Sequence, residues 1–87
     1  MNKEIWILGI HITDRMKESQ KVQDILTKYG CSIRTRLGLH EAKDDYCAPS
    51  GLMILELTGE IAERHKLEND LLSLEHLEVK KMVFKQV

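Results

Sequence analysis

Proline and cysteine are almost missing from this chain. One proline, Pro49, and two cysteines, Cys31 and Cys47, stand among 87 residues. Two cysteines outside a C-x-x-C spacing exclude a disulfide framework, and a reducing cytoplasm is the expected compartment. A surplus of charge of either sign is also absent. The 13 basic and 14 acidic side chains leave a formal charge of −1, so no global field draws the chain to nucleic acid or to an anionic membrane. Long apolar runs are missing too. The run Ile5–Ile12 is interrupted by Gly9 and His11 and has no small-residue cleavage site after it, which excludes a signal peptide, and nothing approaches the ~20 apolar residues of a membrane span. G-x-S-x-G, P-loop and G-x-G-x-x-G patterns are likewise absent. An enzyme is therefore not expected.

What is present has a clear order. From Ile5 to Ile12 apolar residues occupy both parities, the pattern of a strand buried on two faces. Val22, Ile25, Leu26 and Tyr29 then recur at helical spacing, with Asp14 or Ser19 as the cap and Gly30 as a left-handed stop. Residues 32–39 alternate, with Ile33, Thr35, Leu37 and Leu39 on one side and Ser32, Arg34, Arg36 and Gly38 on the other. Glu41–Gly51 is acidic, holds the proline, and reads as a loop. Leu52–Leu57 is again apolar on both parities apart from Glu56. A second helix carries Leu67, Leu71 and Leu74, and Val79–Phe84 is a last, lysine-bearing strand suited to a sheet edge.

The order strand, helix, strand, strand, helix, strand predicts a single α+β domain over 1–87 of the ferredoxin-like βαββαβ class. Its four-stranded antiparallel sheet carries both helices on one face and has the first and third strands in the middle. The two doubly apolar strands are the two this topology makes central, so local pattern and global position agree.

The other sheet face is then bare. Polar residues choose the parity, because Glu56, His11, Arg34 and Arg36 are poor neighbours for the helices. Ile5, Ile7, His11, Arg34, Arg36, His40, Leu52, Ile54 and Glu56 are assigned to the open face. Trp6, Leu8, Ile10, Ile12, Ile33, Leu37, Leu39, Met53, Leu55 and Leu57 form the core. A face of on the order of 400 Å² with an apolar centre, on a chain this short, predicts a homo-oligomer, dimer or tetramer. Its expected interface residues are Ile5, Ile7, His11, Arg34, Arg36, Leu52 and Ile54.

The segment from His40 to Gly51 is the candidate ligand or partner loop, carried by His40, Glu41, Asp45, Tyr46 and Cys47, because it is longer than a hairpin needs. His40, Glu41, Asp44, Asp45 and Cys47 are of metal-ligating type but lack a second closely spaced His or Cys. No metal site is assigned, and the sequence names no cofactor.

Asp14-Arg15, Val22-Gln23-Asp24-Ile25-Leu26-Thr27-Lys28-Tyr29-Gly30, Thr35-Arg36-Leu37-Gly38-Leu39-His40-Glu41, Asp45-Tyr46-Cys47, Ser50-Gly51-Leu52 and Val79-Lys80-Lys81-Met82-Val83-Phe84 together resemble the iron-only hydrogenase system regulators. That resemblance implies an ACT-like fold, akin to the ligand-binding domain of nickel-responsive repressors, and a regulatory role through a ligand or a protein partner. Nickel repressors place a His-x-His pair on the second strand, where this chain has Arg34, Arg36 and Gly38, so nickel sensing is not implied. Amino-acid-binding ACT domains follow Asp-Arg with Pro-Gly, where this chain has Met16-Lys17. With no DNA-binding unit expected before Ile5, regulation would run through a partner and not through direct contact with nucleic acid.

Overall fold

Apolar residues of both parities, and the helical stripes between them, settle into the expected element order. The structure is a computed structural model, and it describes residues 4–39, 42–43, 46–47 and 51–85. Strand β1 (Glu4–Ile12) leads to helix α1 (Arg15–Lys28), a 3-10 turn (Gly30–Ser32) and β2 (Ile33–Leu39). Two-residue strands β3 (Ala42–Lys43) and β4 (Tyr46–Cys47) follow, then β5 (Gly51–Leu57), α2 (Ile61–Leu72) and β6 (Leu77–Lys85). The main sheet has the order β2-β5-β1-β6, all neighbours antiparallel. This is the ferredoxin-like class, with β1 and β5 central.

Asp14 caps α1, its carboxylate accepting from the Lys17 N–H at 3.3 Å, which satisfies one of the orphan donors of the first turn. Val22, Leu26 and Tyr29 are buried along one face, and Ile25 packs against them. Glu18 shares that face and is 3% exposed. Its Oε1 lies 3.8 Å from Lys21 Nζ, while Oε2 has no hydrogen-bond partner among the described residues.

Gly30 is not the expected left-handed cap. The helix closes on Tyr29, at φ −107°, and Gly30 continues the chain into the 3-10 turn. Among the described glycines only Gly59 has positive φ, at 81°, where the chain turns from β5 into α2. The second helix buries Leu67 and Leu71 as its spacing requires, and Leu74 packs just beyond its end. It also buries Arg64, whose Nη1 donates to the Glu4 carbonyl at 2.9 Å and whose Nε donates to the Gly59 carbonyl at 3.2 Å. The guanidinium lies over Trp6 at 5.7 Å, and Lys81 Nζ stands 4.3 Å from the same ring.

The core is Trp6, Leu8, Ile10 and Ile12 of β1 with Met53, Leu55 and Leu57 of β5, closed by both helices. Trp6, Leu8, Leu55 and their alternates face the helices as expected. On β2 the expected alternation fails.

Candidate functional site: the open sheet face

Residues directly opposite each other on antiparallel strands share a face, so the registers map the side of the sheet away from the helices. On β1 these are Ile5, Ile7, Gly9 and His11. On β6 they pair with Phe84, Met82, Lys80 and Glu78. On β5, Glu56, Ile54 and Leu52 stand opposite Ile7, Gly9 and His11. On β2, Thr35 and Leu37 stand opposite Glu56 and Ile54, and Leu39 takes the position opposite Leu52.

The β2 positions correct the sequence reading. The register of β2 on β5 shifts between Ile33 and Thr35, and one extra residue in a strand of period two reverses the facing of everything beyond it. Ile33 stays on the helix side. Leu37 is carried to the open face, 50% exposed, and Leu39 leaves the register of the core. Arg36 is carried the other way, opposite Leu55, and its Nη2 donates to Gln23 Oε1 of α1 at 2.6 Å. Arg36 is therefore not an open-face residue, and Arg34 sits at the register break without a paired position. Ile5, Ile7, His11, Leu52 and Ile54 are brought together as expected.

Met82 and Phe84, 55% and 50% exposed, belong to the same face and were missed. Both parities of β6 mix lysine with apolar residues, so its pattern does not announce a face. The only signal available was the pairing with Ile5 and Ile7, which comes from topology.

The surface so assembled has an apolar diagonal and two polar corners. Phe84, Met82, Ile5 and Ile7 fill one end of the diagonal, and Ile54, Leu37 and Leu52 the other. At one polar corner Thr35 Oγ1 donates to Glu56 Oε1 at 3.0 Å. At the opposite corner Glu78 lies 3.8 Å from His11 Nδ1 and 3.7 Å from Lys80 Nζ. Large exposed apolar groups contiguous across four strands are the usual mark of a surface meant to be covered.

The candidate loop joins β2 to β5 in the chain. Tyr46–Cys47 pairs with Ala42–Lys43 as a short antiparallel hairpin, so part of the expected loop is regular. His40, Glu41 and Asp45 lie outside the described residues. Among the described residues no group of three or more metal-ligating side chains forms, Cys31 is free and exposed, and no helix is long and apolar enough to cross a membrane.

This sheet with two helices on one face is a ferredoxin-like domain, and solved structures share it. The uncharacterized protein TM1266 from Thermotoga maritima matches at TM-score 0.78 and 22% identity, covering 94% of this chain and 99% of that one. CPII from Thiomonas intermedia K12, solved bound to ADP, AMP and acetate, matches at TM-score 0.54 and 10% identity over 95% of this chain and 90% of that one. A formyltetrahydrofolate deformylase from Pseudomonas putida KT2440 matches at TM-score 0.53 and 13% identity, where this chain covers 28% of that one. At these identities the likeness is one of fold. No family model matches the chain, and no curated protein matches it.

Proposed function

We propose that this chain is a small regulatory or sensor module that works by binding, as a homo-oligomer, and turns over no substrate of its own. The open face carries this reading: an apolar diagonal that includes Leu37, Leu52, Met82 and Phe84, each of them exposed in the single chain. That is the anatomy of a surface for burial against another protein surface. The resemblance to iron-only hydrogenase system regulators supplies the setting, a cytoplasmic regulator that contacts a protein partner or a small ligand and has no direct contact with nucleic acid. Within that setting, the segment carrying His40, Glu41, Asp45, Tyr46 and Cys47 is the ligand or partner contact. The nucleotides bound by CPII support ligand binding by a domain of this build.

Native mass spectrometry of the protein from its own host, together with light scattering at tens of micromolar, tests the reading. A multiple of the subunit mass with a retained ligand or partner is expected. A multiple with nothing retained would leave an assembly subunit in place of a sensor. A bare monomer would end the proposal.

A further inference from the structure

We propose that two copies pack open face to open face about a two-fold axis running along the apolar diagonal, with Glu56 of each copy seated over Gly9 of the other, between His11 and Lys80. The inference rests on the oligomeric reading and specifies its geometry.

Gly9 is the first reason. It sits mid-strand in β1, where glycine weakens a sheet and often marks a close approach by another group. Its φ is not in the left-handed region, and a methyl group built on it would meet only the Lys80 carbonyl oxygen, at 4.0 Å. The subunit's own fold therefore does not require glycine there. The result is a notch in the open face, bordered along β1 by Ile7 and His11 and across it by Ile54 and Lys80.

Glu56 is the second reason. It is a half-buried carboxylate on an otherwise apolar strand, held by Thr35, and no cation of its own copy pairs with it among the described residues. Lys80 is 82% exposed and, among the described residues, its ion pair is with Glu78.

A contact between identical faces needs a two-fold axis in the plane between them, and the charges choose among four. An axis along the strands sets Glu56 on Ile7. An axis across them sets Phe84 on Glu78. The diagonal through the polar corners sets Glu56 against Glu56. The apolar diagonal alone keeps apolar on apolar and delivers each Glu56 to the notch beside a lysine and a histidine, which satisfies a buried carboxylate and fixes register. The strands of the two copies then cross at roughly 70°, an orthogonal sheet packing. Two faces of on the order of 400 Å² bury roughly 800 Å² together, below the about 1,000 Å² of a stable specific interface, so pairing is weak and concentration-dependent.

Sedimentation equilibrium on the wild type, Glu56→Lys, Lys80→Glu, the double exchange and Gly9→Leu tests the geometry, with circular dichroism reporting the fold of each. Each single charge reversal is expected to weaken self-association at least about tenfold, the double exchange to restore it, and Gly9→Leu to abolish it in a folded subunit. Association unchanged in Glu56→Lys, or singles that fail without rescue by the double exchange, would overturn the crossed geometry and leave the oligomeric reading standing. A monomeric wild type would overturn both. If Gly9→Leu does not fold, the charge exchange decides alone, because both of its sites are on the surface.

Discussion

At Gly59 the backbone stands at φ 81° with open space around the α-carbon. Only the left-handed conformation, and no steric contact, demands glycine there. Gly59→Ala is expected to cost about 1–2 kcal/mol, while Gly30→Ala, with neither positive φ nor a neighbour within 4 Å, changes urea stability little. The sequence pointed to Gly30 because a glycine after the last apolar position of a helix is usually its cap. Here the cap falls on Tyr29, whose hydroxyl donates to Asp70 Oδ2 at 2.8 Å across the two helices. That bond, then burial, raises the Tyr29 pKa above its usual 10.0. A folded-state pKa above the unfolded one means the stabilisation is complete below about pH 10 and lost as pH climbs through the raised value. Urea midpoints of the wild type and Tyr29→Phe, compared from about pH 8 to about pH 11, are expected to converge at the alkaline end. A constant difference would show that the hydroxyl bond does not set it.

At the scale of elements, order and type were legible because β1 and β5 are apolar on both parities and the helices carry single stripes. The face of β2 was not legible. Its alternation is clean in sequence, but the register shift after Ile33 reverses it, and a bulge leaves no mark when the inserted residue is as ordinary as Arg34 or Thr35. Nor does sequence reveal that Arg64 is buried, since its partners are backbone carbonyls that only the tertiary fold supplies. The two readings of β2 separate in a measurement. In the Ile7→Asp background, where association is expected to be lost, Leu37→Ala should cost about 0.5 kcal/mol or less. Leu55→Ala, at a fully buried site, should cost about 2–5 kcal/mol. Similar costs at the two sites would return Leu37 to the core.

For the whole molecule, subunit stability and the proposed assembly should be coupled, because the single subunit leaves the apolar residues of its second sheet face exposed. An oligomer that unfolds to monomers gains stability with concentration by mass action. For a dimer the gain is about 0.7 kcal/mol per subunit for each tenfold, which for a domain of this size is roughly 3–5 °C in Tm. Ile7 stands in the apolar diagonal, opposite Met82 and Glu56, and is only half-buried within its own subunit. A carboxylate there meets solvent in the free subunit but an apolar surface in the proposed assembly, so Ile7→Asp should dissociate the protein before it unfolds it. Scanning calorimetry over a hundredfold range of concentration is expected to show a rising Tm for the wild type and a flat one for Ile7→Asp, with light scattering reporting the subunit mass. Equal slopes for the two proteins would place the association surface elsewhere than on this face.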